Sequence, residues 1–215
     1  MATVLWQGVE TGALDRCRLE TGPDGLRLSG TVLTAEFGTP PERLSSIDAA
    51  FAYFEELAGP PHARRAYSTG VLDVRYEVQT GPDGLTRRVE LELDGGAVRR
   101  VLLADGAGRW RWEDGPELPD VAGALDVDLT VTPATNTLPI RRLAGLEVGG
   151  AADFQMAWVQ FPELSVIPSL QRYERLAPDR WRFSSGDFSA ELRVDPAGLV
   201  LDYSGLFRCL TYRPG

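Results

Sequence analysis

Alternation of apolar and charged residues constrains this chain more than any other feature. Leu72, Val74, Tyr76 and Val78 share one parity, while Asp73, Arg75 and Glu77 take the other. Successive side chains of an extended strand point to opposite faces, so this stretch reads as a half-buried antiparallel strand. Val89, Leu91 and Leu93 alternate with Arg88, Glu90 and Glu92 in the same way, and Gly81, Pro82, Asp83 and Gly84 lie between the two segments. Those are turn residues, so the pair forms a hairpin. Gly95 and Gly96 then reverse the chain into 98–103, and Asp105 with Gly106 reverses it again before Trp110 and Trp112.

The pattern resumes downstream. Phe154, Met156 and Trp158 share a face, as do Phe188, Ala190, Leu192 and Val194, and a turn at 195–198 leads into Leu199, Leu201 and Tyr203. The expected fold class is therefore mainly β, one long meandering sheet, and a sheet of that length must curl or close to bury a face. The hexapeptide TGPDGL occurs at 21–26 and again at 80–85. Pro-Asp-Gly is favoured turn chemistry in any context, so this reads as two similar turns and not as a duplication.

Two segments depart from the strand period. Ile47, Ala50, Phe51, Phe54 and Leu57 recur at helical spacing, with Ser46 as N-cap and 59–61 as terminator. This predicts an amphipathic helix near 46–58, whose Phe stripe either covers an open end of the sheet or belongs to a lid that gates a cavity. A second, shorter helix is expected after Thr135, capped by Thr or Asn, with Pro139 in its first turn and Gly145 at its end. No linker divides the sequence, and 1–215 is read as a single domain.

The net charge is −9, and all 22 basic residues are Arg. An acidic surface without basic runs repels phosphate backbones and anionic membrane surfaces, which argues against nucleic acid as a partner. The first residues lack the basic start and apolar run of a signal peptide, and no stretch approaches the roughly 18 apolar residues of a membrane span, so a cytoplasmic location is expected. Cys17 and Cys209 are too few for a disulfide framework or a metal knuckle, and they would meet only if the terminal strands pair.

Most catalytic chemistries lack parts. His62 is the one histidine, in a Pro-rich connection without a Cys, His or acidic cluster around it. No nucleophile elbow, P-loop, dinucleotide fingerprint or zinc-binding helix is present, and neither a cofactor nor a metal is expected. The remaining catalytic possibility is acidic. Asp126 and Asp128 stand two apart in an alternating segment, opposite Leu125, Val127, Leu129 and Val131, with Cβ atoms roughly 7 Å apart by strand geometry. They form an acid/base pair at a sugar, a set of acceptors for a ligand, or ion pairs with Arg141 and Arg142 that fix a turn.

Residues 126–143 read DVDLTVTPATNTLPIRRL. This stretch resembles the signature of the putative glycolipid-binding protein family, bacterial proteins first grouped as a domain of unknown function. Other pieces agree in order: Trp6, LRLSGTV at 26–32, VQFPELSV at 159–166, QRYERL at 171–176 and DFSAELRVDPAGLVLDYSGLFR at 187–208. The resemblance implies a spiral β-roll, a long antiparallel sheet wrapped around a helix. It also implies a homodimer, and a likeness to lipoprotein carriers underlies the glycolipid proposal. The 36–68 segment is longer than the family pattern requires and reads as an insertion, which makes the helix after Thr135 the candidate for the centre.

Under that resemblance the candidate ligand groups are Asp126, Asp128, Thr135, Asn136, Thr137, Arg141, Arg142, Gln171 and Tyr173, with Trp110 and Trp112 to stack on a sugar face. Each has a structural alternative. The Thr and Asn groups cap a helix, the Arg pair satisfies the Asp pair, and the Trp residues are core. The leading expectation is a non-catalytic binder of an amphipathic small molecule, a glycolipid by the resemblance. The alternatives are a carboxylate-dependent enzyme acting on a glycan or lipid-linked sugar, and a structural homodimerisation module.

Overall fold

The structure, a computed structural model, describes residues 1–34, 51, 54 and 72–215. Alternating sequence becomes strand throughout. In chain order these are β1 (Ala2–Gly8), β2 (Leu14–Gly22), β3 (Gly25–Thr34), β4 (Leu72–Thr80), β5 (Thr86–Leu93), β6 (Val98–Ala104) and β7 (Trp110–Trp112). They continue as β8 (Asp126–Leu129), β9 (Ala151–Gln160), β10 (Ser165–Ala177), β11 (Arg180–Ser185), β12 (Phe188–Val194), β13 (Val200–Tyr203) and β14 (Phe207–Arg213). Together they form a 14-stranded sheet in the order β7-β6-β5-β4-β3-β2-β1-β14-β13-β12-β11-β10-β9-β8.

The first and last strands meet in the middle of that order, with Thr3 opposite Arg213 and Trp6 opposite Cys209. Two meanders therefore run outward from the β1·β14 pair, and their outer edges, β7 and β8, are consecutive in sequence. A short connection must span them, so the sheet curls until the edges approach. Gly123 N–H donates to Gly108 O (2.9 Å), Trp110 Nε1 to Ala124 O (2.7 Å) and Thr86 N–H to Leu125 O (3.2 Å). Among the described residues no strand ladder joins β7 to β8, and the sheet remains an open roll. Cys17 and Cys209 stay free thiols.

One pair departs from the expected all-antiparallel meander, because β8 runs parallel to β9. Parallel neighbours need a crossover, and the chain supplies it with a 3-10 turn at Ala134–Asn136 followed directly by the helix Thr137–Arg142. Thr137, Leu138, Pro139 and Ile140 are all buried, and Leu138 and Ile140 pack into the same apolar cluster as Val4, Trp6, Val127, Val159, Trp181 and Leu192. The helix after Thr135 is thus part of the interior. It ends before Gly145, and neither Thr135 nor Asn136 caps it with a side chain, because both are engaged elsewhere.

The alternation predicted from sequence sets the faces. Val74, Tyr76, Val78, Val89, Leu91 and Leu93 all point inward, while Arg75 pairs with Glu92 and Arg99 with Glu90 on the outside. On the outer face Leu5, Leu14 and Leu33, flanked by Leu210, form a second apolar cluster with Phe51 and Phe54. Both Phe residues are helical and buried, and the guanidinium of Arg16 lies 5.1 Å from the Phe54 ring centre. The Phe stripe therefore covers the outer face of β1, β2 and β3, and not an end of the sheet. The rest of the predicted 46–58 helix, most of the suspected 36–68 insertion and His62 lie outside the described residues. Among the described residues no helix is long and apolar enough to cross a membrane.

Truncating the central helix should be costly, because the surrounding sheet is held by its own ladders and cannot collapse onto the space. Leu138→Ala is expected to lower unfolding free energy by about 3 kcal/mol, read from urea denaturation. A loss under about 1 kcal/mol would show that the helix is not a core element.

Candidate functional site

Strand β8 aims Asp126 and Asp128 to one side and Val127 and Leu129 to the other. The two carboxylates find different partners. Asp126 is closed off from solvent; its Oδ1 accepts from Arg142 Nη2 (2.8 Å) and Thr86 Oγ1 (3.4 Å), and Arg142 Nη1 approaches Oδ2 at 2.7 Å. Burial pushes this carboxyl above its ordinary range, and the Arg142 guanidinium opposes the shift. Among the described residues no cation pairs with Asp128. Gln171 Nε2 donates to its Oδ2 (2.6 Å) and Thr135 Oγ1 to its Oδ1 (3.2 Å), while burial again raises its pKa against those two bonds.

The chain of contacts continues inward. Asn136 Nδ2 donates to the Tyr173 hydroxyl (2.8 Å), which donates to Gln171 Oε1 (3.0 Å), and Thr135 Oγ1 accepts from Leu129 N–H (3.2 Å). Five of the candidate residues, Asp128, Thr135, Asn136, Gln171 and Tyr173, thereby form one connected network. Thr135, Asn136, Gln171 and Tyr173 are all at most 3% exposed. A network this well satisfied fixes the crossover and the strands beneath it. Thr137 stands apart, fully buried with its hydroxyl unpartnered.

The remaining candidates lie elsewhere. Trp110 and Trp112 are 2% and 8% exposed, and the Arg100 guanidinium covers the Trp112 ring at 4.4 Å, so neither offers a free face. Arg141 turns away from both aspartates and donates through Nη1 to Ala197 O (2.5 Å). It thereby reaches a groove of about 710 Å³ at one end of the roll, where the interior comes to the surface. Ala2, Leu19, Ile140, Trp181 and Val194 line it as an apolar floor, and Arg141, Arg175, Asp195 and Tyr212 supply polar groups. Gly198 is required here, since its φ is +82° and a Cβ on it would come within 2.9 Å of Arg141 Cγ.

Residues 61–209 match a family model described as putative glycolipid-binding, over a stretch that includes both networks and most of the groove. The chain belongs to that family. A crystal structure of a DUF1089 family protein from Pseudomonas aeruginosa is similar at 29% identity, covering 91% of each chain with a TM-score of 0.66. No curated protein matches.

The family match leaves β1, β2 and β3 outside its bounds, and a polar residue overlooked in the sequence sits there. Asp15 is 1% exposed on the inner face of β2, where Thr132 Oγ1 donates to its Oδ2 (2.5 Å) and the Tyr76 hydroxyl to its Oδ1 (3.3 Å). Tyr76 reaches it by lying across Gly30, where a Cβ would stand 2.3 Å from the ring. The readable signal was parity: Asp15 shares a strand face with Cys17 and Leu19, which are inward apolar positions. Burial raises its pKa from 3.8 to about 7, opposed by the two hydroxyls and by the charge of Arg16.

Folding therefore favours the neutral carboxyl. Its contribution to stability is complete below the unfolded value, near pH 4, and is lost as pH rises to about 7. Asp15→Asn keeps an acceptor for Thr132 and cannot ionise. Its thermal midpoint, relative to wild type, should climb between pH 4 and 7 and then level off; a difference independent of pH would mean that Asp15 does not titrate there. Arg142→Ala should cost about 3 kcal/mol in urea unfolding by stranding a buried carboxylate, and Asp126→Asn in the same background should recover part of that loss.

Proposed function

We propose that this protein binds an amphipathic small molecule, of the glycolipid class that the family description names, without covalent chemistry. The observation that carries this reading is the groove at the end of the roll. Its volume of about 710 Å³ falls within the range of ordinary small-molecule sites. Its floor is the exposed end of the continuous apolar interior, and its rim includes Arg141 from the family signature. An alkyl chain laid on the floor leaves a polar headgroup at the rim, which is the division of surface an amphiphile requires.

The use made of the aspartates supports binding over the carboxylate-enzyme reading. Asp126 is neutralised by Arg142, and Asp128 is held by Gln171 and Thr135 within a network that fixes the crossover. Neither lines the groove. The homodimer implied by the resemblance is a separate proposal, and light scattering on the purified protein decides it.

Protein purified from its native host and extracted with organic solvent should release a stoichiometric amphiphile detectable by mass spectrometry. Ala144 is exposed at the groove, so Ala144→Trp fills the space without entering the core. This variant is expected to keep the wild-type melting temperature and lose at least about tenfold in amphiphile affinity. Undiminished binding by Ala144→Trp would place the ligand elsewhere, and an empty protein that no amphiphile stabilises would remove the proposal.

A further inference from the structure

Resting on that reading, we infer that the groove is built for an amphiphile with an anionic headgroup, held between the guanidiniums of Arg141 and Arg175. On the neighbouring strands several arginines are neutralised by carboxylates: Arg172 by Asp153, Arg182 by Glu174 and Arg193 by Asp202. Arg141 and Arg175 are different. Among the described residues neither meets a carboxylate in an ion pair, although the protein as a whole carries a charge of −9.

Both forks are nevertheless fixed. Arg141 Nη1 is held by Ala197 O; Arg175 Nη1 donates to Ala144 O (2.9 Å) and Leu146 O (2.6 Å), and its guanidinium lies 5.6 Å from the Trp181 ring centre. Backbone carbonyls orient a guanidinium without cancelling its charge, so two cationic groups are pre-positioned at little further cost in side-chain entropy. Nε and Nη2 of Arg141 make no protein hydrogen bond among the described residues and remain available as a planar donor pair.

Asp195, the one acidic side chain among the described residues of the groove lining, is already committed. Asp195 Oδ1 accepts from the amides of Ala197 and Leu199, both at 2.8 Å, and Oδ2 accepts from the Tyr212 hydroxyl at 2.6 Å. The groove therefore presents the open donor edge of Arg141 and the charge of Arg175 beside an Asp195 side chain whose oxygens are engaged by Ala197, Leu199 and Tyr212. Planar forks suit the paired oxygens of a phosphate or carboxylate. A neutral sugar would satisfy the donors and leave both charges without a counterion.

Titration calorimetry on the full chain separates the possibilities, using dodecyl phosphate, dodecyl glucoside and inorganic phosphate, each amphiphile below its micellar concentration. Dodecyl phosphate should bind at least about tenfold tighter than the glucoside, with a preference that shrinks as salt is added. Arg141→Gln should abolish the preference, and Arg141→Lys, which keeps the charge, should restore part of it. Glucoside binding as tight as the phosphate ester would overturn the anionic headgroup and leave the amphiphile reading intact. Inorganic phosphate competing on equal terms with dodecyl phosphate would make this a free-anion site and overturn the headgroup. Binding of none of the three would sink this inference and the proposed function together.

Discussion

The β1·β14 pair is the constraint on which the roll depends. Joining the two ends of the chain at the centre of the sheet forces the halves to run outward in opposite directions, and the outermost strands of each half are then neighbours in sequence. Only a sheet that curls can satisfy a short connection between its own edges. The inner face so created is mainly apolar, and it wraps the crossover helix. The pair is reinforced from both sides: Trp6 is buried inward and donates through Nε1 to Leu201 O (2.9 Å), while Leu5 is buried outward beneath Phe51 and Phe54. All seven residues of β1 are buried, as expected of a strand covered on both faces.

A curled sheet with a helix inside it must satisfy the polar groups of the connections it swallows, because an unpaired buried donor or acceptor costs on the order of 1–3 kcal/mol. The polar signature answers that demand. Thr135 serves the β8 backbone and Asp128 at once, Asn136 and Tyr173 join the helix entry to β10, and Thr132 joins the same loop to Asp15 across the interior. A dense run of Thr, Asn, Asp and Arg is what a carbohydrate site looks like in a sequence. It is equally what a buried crossover needs, and seven of the eleven candidate residues, Asp126, Asp128, Thr135, Asn136, Arg142, Gln171 and Tyr173, are used in that second way.

The groove follows from the same geometry. Where the helix ends, Arg141, Ala144 and the turn at 195–198 meet the outer ends of β1, β2, β12 and β14, and the apolar interior reaches the surface. Arg141 and Arg142 are adjacent in sequence yet have opposite fates. One neutralises a buried aspartate, and the other leans on a backbone carbonyl at the groove.

Strands, their faces, the short helix and the family were legible in the sequence, because side-chain parity and helical spacing are local properties of the backbone. Val74, Tyr76 and Val78 had to share a face whatever the rest of the chain did. The parallel β8·β9 pair and the outward placement of Phe51 and Phe54 were not legible, since each depends on which surface the curl brings opposite; for Trp110 and Trp112 core was one of two open readings, and the structure chose it. The carboxylates show the division most clearly. Sequence placed Asp126 and Asp128 on one side of a strand, but only the tertiary structure decided that Arg142 and Gln171 would reach them, and that Asp15 would meet Thr132 across a separation of 117 residues. Parity is fixed by the geometry of one peptide unit after another, whereas partners are chosen by the path of the whole sheet through space.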